Sequence, residues 1–384
     1  MMYNAFLLAY RYLRFHPLRT LILIFGTAVT LFLPVFTYFG SSAIQESLLY
    51  RGKSSPILIG KKGNEFDLTM NSLYFRGHIK DPLEFEEQKT ASAYGLSVPI
   101  YVNHTISGTP LVGTSVGYFS ARNLSIQSGR NYALLGEVVA GFQTAQLFHL
   151  KVGDKVRSDM QNLYNISGGY PMVLEVVGIL NANDTSDDNA FFTDVKTTWA
   201  LDGYMHGHEE VTRKEALNSE AEEGENLEAT AAIFMFPEIT EENRNSFHLH
   251  GDIGELPISS VLLLPKNVEQ HNIALGDYEL RKDVQAVRPK IVVETILEIL
   301  LGIQRALDAY FFVISFSTLS FFSLILYLSR QLRSTELEIM ERMGASKTMI
   351  RWMFIAEVSI VLLFSFLLAT LFSFLSIFVI QDLL

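Results

Sequence analysis

The chain contains no cysteine among its 384 residues. This excludes a disulfide framework, a thiolate metal site and a cysteine nucleophile, and it is compatible with a bacterial envelope protein. A Walker A phosphate loop is also missing, because Gly52-Lys53-Ser54 has Ser47 where that motif needs its first glycine. No G-x-S-x-G, H-E-x-x-H or dinucleotide-binding fingerprint is present either. We therefore expect no enzyme activity and no cofactor in this chain.

Positive charge is scarce in the middle of the chain. Residues 40–305 carry 22 Lys and Arg against 35 Asp and Glu, a net charge of −13. A nucleic-acid partner would require a basic stripe, so this class of partner is excluded. Basic residues instead concentrate near the N-terminus and in residues 329–351.

Long apolar runs occur only toward the two ends. Their length predicts three transmembrane helices, at 18–39, 306–328 and 352–380. Residues 1–17 alternate apolar and basic positions at helical spacing, which predicts an amphipathic helix on the membrane surface. Short basic loops stay in the cytoplasm, so we expect the N-terminus and residues 329–351 to be cytoplasmic.

Residues 40–305 contain no run long enough to span a membrane and should lie outside the cytoplasm. Glycine and proline punctuate short apolar segments throughout, as is typical of an α+β domain. We predict helices at 81–95 and 137–147, strands at 174–180, 231–236 and 259–264, and a helix over 291–309 that leads into the second span. A glutamate-rich stretch at 202–228 indicates an exposed insertion.

The stretch 328–357 lies between the second and third apolar runs and is rich in charged helix formers, which Gly344 then ends. Its pattern R-x-x-E-x-x-I-x-x-x-x-G-A-S resembles the MacB/FtsX-type (type VII) ABC transporter permeases. The stretches ALLGEVVAGFQTAQLFHLKVGDKV and YPMVLEVVGIL resemble their extracytoplasmic domain. In that family the loop is gripped by the ATPase, which implies coupling roles for Arg333, Glu336, Glu338, Ile339, Arg342, Met343, Gly344, Ala345 and Ser346.

The resemblance implies the permease subunit of an ABC transporter in the bacterial inner membrane, with its large domain in the periplasm. ATP and Mg²⁺ would bind in a separate cytoplasmic ATPase, whose hydrolysis would drive mechanical work of the extracytoplasmic domain. The substrate would be a lipoprotein, peptide or amphiphile. Further implied partners are a second permease, identical or related, and a periplasmic adaptor or substrate-binding protein.

The expected fold class is therefore an α-helical membrane protein with three transmembrane helices and a large α+β domain inserted between the first and second. The family usually has a fourth span. We expect a three-span variant, a span from another chain, or a re-entrant final helix.

Histidines occur in two H-x-H clusters, which could place imidazoles on one face of a strand as Zn²⁺ or Cu²⁺ ligands. They are His206, His208, His248 and His250. The alternative function is accordingly a membrane-anchored ligand or metal sensor, or a regulator of an envelope enzyme. Adventitious metal binding, or none, is the other interpretation of these histidines.

Carboxylates in or near apolar segments are few. Asp308 lies at the edge of the second span and Glu357 lies inside the third, where a charge is costly unless paired. For Glu357 we expect a partner in the coupling region, such as Arg351, or on the ATPase. The neighbouring pairs Asp187-Asp188 and Glu86-Glu87 are expected to be solvated.

Overall fold

The structure is a computed structural model that describes residues 2–160, 171–206, 238–240, 242–249 and 251–383. Its contacts divide the chain into two compact units. Met1–Glu46 and Ile296–Leu384 form one, here named the helical unit, and Ser47–Thr295 form the other, the sheet unit. The sheet unit is somewhat shorter at both ends than the predicted domain 40–305.

Eleven helices lie in the part of the chain that the structure describes. They are α1 (Met2–Phe15), α2 (Pro17–Lys53), α3 (Glu65–Tyr74), α4 (Glu86–Ala91), α5 (Gly117–Ala121), α6 (Phe142–Leu147), α7 (Val195–Leu201), α8 (Val268–Glu279), α9 (Pro289–Leu332), α10 (Ser334–Arg342) and α11 (Lys347–Leu383).

The strands are β1 (Ile57–Lys61), β2 (Leu83–Glu84), β3 (Gly95–Ile106), β4 (Thr109–Thr114), β5 (Ile126–Gly129), β6 (Glu137–Ala140), β7 (Lys155–Arg157), β8 (Val173–Leu180), β9 (Phe191–Asp194), β10 (Met205–His206), β11 (His248–Leu249), β12 (Pro257–Ile258), β13 (Ser260–Pro265) and β14 (Val284–Val287).

Three of these helices are long and apolar enough to cross a membrane, through Pro17–Phe39 of α2, Pro289–Ile325 of α9 and Lys347–Ser376 of α11. This confirms the expected number of apolar helices. α9 is a single helix of 44 residues, so the residues predicted to lead into the second span and the span itself form one element.

Small residues allow α11 to approach α2 within the helical unit. Ser365, Ala369 and Ser373 recur every four residues on α11 and are completely buried. The Ser365 hydroxyl donates to the Ile24 carbonyl oxygen at 3.0 Å, and the Ser373 hydroxyl donates to that of Phe32 at 3.5 Å. This is the small-xxx-small pattern by which transmembrane helices pack closely.

The sheet unit is built on one mixed ten-stranded sheet with the order β14-β1-β13-β3-β4-β9-β6-β8-β5, in which β7 also pairs with β8. The pairs β4–β9 and β6–β8 are parallel, and the other pairs in this sheet are antiparallel.

Both faces of this sheet are covered. Successive β-strand side chains point to opposite faces. On β1, Leu58 packs into one buried cluster with Val98, whereas Ile57 and Ile59 pack into a second cluster with Trp199. These large buried side chains place the core of the unit on either side of the sheet.

The predicted helix 137–147 is wrong in its first half. Glu137–Ala140 forms β6, which pairs with β8 and β9, and only Phe142–Leu147 is helical. Gly141 separates the two, and a Cβ there would lie 2.3 Å from the Asp187 carbonyl oxygen. Sheet pairing of the β-branched valines thus outweighs local helix preference.

The predicted helix 81–95 is also shorter in the structure. Leu83–Glu84 forms β2, which pairs with β12, and the helix is confined to Glu86–Ala91. The predicted strand 231–236 and most of the predicted insertion 202–228 lie outside the described residues.

Candidate functional site

The motif stretch Arg333–Ser346 forms the short helix α10 and the turn that joins it to α11. α10 ends at Arg342, and Gly344 follows with φ +100°, a conformation that favours glycine. The amide of Ala345 donates to the Met340 carbonyl oxygen at 3.0 Å, which closes the helix end. Ser346 then accepts a hydrogen bond from the Met349 amide at the start of α11. Gly344 and Ser346 therefore shape the segment.

One side of α10 packs against the rest of the helical unit and the other side is exposed. Leu337 is buried in a cluster with Ile350 and Met353 of α11. By contrast, Ile339 is 52% exposed and Met343 is 75% exposed. The exposed positions also include Glu336, Glu338 and Arg342, and the last two form an i,i+4 ion pair at 2.7 Å. We name Glu336, Glu338, Ile339, Arg342 and Met343 the α10 surface.

Arg333 does not belong to this surface, although the motif placed it there. It is only 8% exposed, and its guanidinium carbon lies 3.4 Å from the centroid of the Tyr12 ring. Its Nη1 lies 3.5 Å from Glu357 Oε2, and its Nε lies 3.5 Å from Glu336 Oε2. Arg333 is thus buried within the helical unit.

The carboxylates of Glu357 and Asp308 differ in burial. Glu357 is 2% exposed and its cationic partner is Arg333. Arg351, the partner that the sequence suggested, is exposed. Asp308 is exposed on α9.

One histidine of each cluster lies in a pair of hydrogen-bonded strands. β10 and β11 are antiparallel, and His206 is directly opposite His248. His208 and His250 lie outside the described residues. Within the described ranges, no three metal-binding side chains come together.

Buried carboxylates in the sheet unit were not anticipated from the sequence. Asp187 and Asp188 are each 1% exposed, and Glu87 is 7% exposed, so the expectation of solvated carboxylates is wrong for these three. Arg51, near the end of α2, makes two hydrogen bonds with the Asp187 carboxylate and one with the Leu73 carbonyl oxygen. Tyr118 donates to the same carboxylate at 2.8 Å.

The contacts among Arg51, Asp187 and Tyr118 shift the pKa values of Asp187 and Tyr118. Burial alone raises the pKa of Asp187, but the charge and hydrogen bonds of Arg51 outweigh it and hold the pKa below its ordinary value. Burial, and then the Asp187 charge, raise the pKa of Tyr118 to about 12. Arg51, Asp187 and Tyr118 are polar by hydropathy, so the sequence does not predict their burial. No local sequence pattern connects positions 51 and 187, so it does not predict their ion pair either.

Residues 20–234, more than half of the chain, match the model of the MacB-like periplasmic core domain. No curated protein matches the chain.

Among solved structures, the periplasmic region of MacB from Actinobacillus actinomycetemcomitans is 12% identical, with a TM-score of 0.36, over 65% of this chain and 97% of that one. The extracellular domain of the noncanonic ABC-type transporter YknZ from Gram-positive bacteria is 10% identical, with a TM-score of 0.33, over 60% and 98%. A domain of a putative permease from Porphyromonas gingivalis is 9% identical, with a TM-score of 0.27, over 60% and 86%.

Proposed function

Because the chain is a MacB/FtsX-type ABC transporter permease that carries a MacB-like periplasmic core domain, we propose that it converts ATP hydrolysis by a separate cytoplasmic ATPase into mechanical work of its sheet unit. The observation that carries this proposal is the α10 surface. Ile339 and Met343 are apolar side chains held in the open on a helix whose other side is anchored by Leu337. The two side chains are four residues apart, so they lie on the same side of the helix and can be buried together by one partner.

The charges of the chain support one orientation. Arg11, Arg14 and Arg19 precede or begin the first apolar helix, and the stretch around α10 is also basic. Under the positive-inside rule both segments face the cytoplasm of the inner membrane, where the ATPase and its Mg²⁺-ATP are located. The acidic sheet unit is then periplasmic.

Continuous helices support mechanical transmission. α2 and α9 each begin in one unit and end in the other. Movement of α10 against the ATPase would be passed along these two helices to the sheet unit. Substrates that fit such a machine are envelope lipoproteins, peptides or amphiphiles, and two permeases, identical or related, would pair over two ATPase subunits.

The test is co-purification of the detergent-solubilised full chain from its native membranes. Wild type is compared with Ile339→Asp/Met343→Asp, which places two charges on the α10 surface without altering a buried residue. The matched control is Val268→Asp/Leu280→Asp, since these side chains are equally apolar and are 77% and 85% exposed in the sheet unit.

We expect an ATPase with a Walker A motif to co-purify with wild type and control, and its yield to fall about tenfold or more with the α10 variant. Absence of any ATPase from the wild-type sample would reject the proposal. Zn²⁺ titration of the full chain would then test the alternative of a metal sensor, because His206 and His248 are paired across β10 and β11.

A further inference from the structure

Arg333 lies where four helices of the helical unit meet. It lies at the junction of α9 and α10, its guanidinium stacks on Tyr12 of α1, and it faces Glu357 of α11. The ring of Phe354, also on α11, lies 5.8 Å from the guanidinium carbon. A planar guanidinium on an aromatic face is a favourable contact, and it strengthens when water is excluded as it is here.

Tyr12 is itself fixed in position. Ala5, Ala9 and Leu13 recur every four residues along α1, are buried, and pack in one cluster with Ile350 and Met353 of α11. The Tyr12 hydroxyl accepts a hydrogen bond from Arg19 Nη1 at 3.1 Å. α1 is therefore packed against α11, and its Tyr12 contacts Arg333 at the N-terminal end of α10.

Arg333 lies near two carboxylates, of which Glu336 is exposed and Glu357 is buried. Glu336 and Glu357 approach it at the same 3.5 Å from different helices. Neither contact is a hydrogen bond, and Arg333 Nε, Arg333 Nη1 and Glu357 Oε2 are buried without a hydrogen-bond partner among the described residues. Since a buried charge gains by closing such a gap, a small shift of α10 against α11 changes the Arg333–Glu357 distance. The Arg333–Glu336 pair, three residues apart, moves with α10.

We infer that Tyr12, Arg333 and Glu357 form a latch through which the N-terminal helix α1 sets the position of α10. Arg333 is a positioning residue and not a docking residue, and α1 is part of the coupling device in addition to a membrane-surface element. When the ATPase pulls on the α10 surface, the latch ties that pull to α1 and α11. This inference rests on the proposed function.

The experiment uses the full-length permease purified with its ATPase and reconstituted in lipid nanodiscs. Two quantities are measured for each variant, the amount of ATPase bound and the steady-state rate of ATP hydrolysis, with kcat and KM separated. Tyr12→Leu removes the ring at similar volume, and Arg333→Lys keeps the charge but removes the planar guanidinium. Tyr12→Phe is the conservative control, because it keeps the ring.

We expect Tyr12→Leu and Arg333→Lys to retain bound ATPase and an unchanged KM for ATP, while kcat falls about tenfold. Tyr12→Phe should restore nearly wild-type turnover. The double variant Tyr12→Leu/Arg333→Lys should be no slower than either single variant, because both remove the same contact. A general loss of folding would instead add up in the double variant and lower the bound ATPase.

The inference is overturned if both single variants turn over like wild type, or if they lose bound ATPase as the α10 surface variant does. If wild type itself brings down no ATPase, the proposed function fails, and this inference fails with it. If wild type binds ATPase and the Tyr12→Leu and Arg333→Lys variants also turn over like wild type, the proposed function stands and the latch is rejected.

Discussion

The guanidinium of Arg51 and the carboxylate of Asp187 lie side by side, with Nη1–Oδ2 at 2.7 Å and Nη2–Oδ1 at 2.9 Å. Both side chains are almost completely buried. The pair fastens the end of α2 to the 3₁₀ turn Ser186–Asn189, and through Tyr118 to α5. A helix that leaves the helical unit is thus held in the core of the sheet unit by charge as well as by apolar contact.

Removing one member of this pair should be severely destabilising. Asp187→Ala leaves the Arg51 charge buried without its partner, and we expect the free energy of unfolding of the sheet unit to fall by about 3–5 kcal/mol. Denaturant unfolding of the full chain in detergent, followed by the fluorescence of buried Trp199 in a Trp352→Phe background, measures this. The exposed Asp81→Ala is the control and should lie within about 0.5 kcal/mol of its parent.

A double substitution of Arg51 and Asp187 distinguishes the contribution of their charges to stability from that of their packing. Arg51→Met/Asp187→Leu replaces both charges by apolar groups, and such replacements are often neutral or stabilising. We expect the double variant to recover most of the stability that Asp187→Ala loses. Equal destabilisation of the two variants would contradict this account.

The sheet unit should lose stability in acid through Glu137. Burial raises the pKa of Glu137, but hydrogen bonds from Arg130 and from the amides of Ala133 and Leu134 outweigh it, so the net pKa is lowered. A lowered folded-state pKa means that the stabilisation is complete above the unfolded value near 4.3 and is lost as the pH falls through the lower folded value.

We therefore expect the melting temperature to change little between pH 7 and 5 on account of this group, and to fall below about pH 4. Glu137→Gln cannot titrate, so its melting temperature should fall less over that acid range, from a lower starting value at pH 7. The exposed Glu65→Gln, for which the acid slope should remain that of wild type, is the control. A wild-type slope in Glu137→Gln would rule out this carboxylate as a contributor.

Features that depend on composition over many residues could be predicted from the sequence. The apolar lengths of α2, α9 and α11 exceed what a bilayer core requires, and hydropathy needs no tertiary information to find them. The Gly344 turn after α10 was also predictable, because few residues tolerate that backbone conformation.

Features that depend on distant neighbours could not be predicted. β6 is a strand because β8 and β9 lie on either side of it, and both follow it in the sequence. The motif identified Arg333, but only the position of Tyr12, more than 300 residues away, turns it inward. The motif predicted nine coupling residues together, and burial separates Arg333 from the five that form the α10 surface.

Gly52 of α2 lies close to α9 within the sheet unit. A Cβ on Gly52 would lie 3.2 Å from Val293 Cγ2 and 3.4 Å from the Lys290 Cα. Gly52→Leu should therefore force the two helix ends apart and destabilise the sheet unit by about 1–3 kcal/mol. Trp199 fluorescence again measures the unfolding.

Gly276 provides the matched control for this substitution. It also lies in a helix, α8, but it is exposed and a Cβ there meets nothing within 4 Å. Gly276→Leu should be neutral or slightly stabilising, because leucine is the better helix former. If both glycines accept leucine equally, the approach of α2 and α9 does not depend on Gly52.

The packing of α11 on α2 should depend on the size of residue 369. Ala369 lies midway between Ser365 and Ser373, whose hydroxyls reach α2 carbonyl oxygens, and it is completely buried. A leucine at this position has no space, so Ala369→Leu should push α11 away from α2 and break both hydrogen bonds. Because the chain has no cysteine, a Phe39→Cys/Phe374→Cys pair reports this distance by thiol cross-linking in membranes, since the two rings lie 5.5 Å apart across α2 and α11. We expect Ala369→Leu to lower the cross-linked fraction about fivefold or more.

Leu371→Phe is the control, because it adds volume to a side chain on the same helix that is 62% exposed, and it should leave cross-linking unchanged. Equal cross-linking in all three backgrounds would mean that α11 is held to α2 by contacts other than this small-residue stripe.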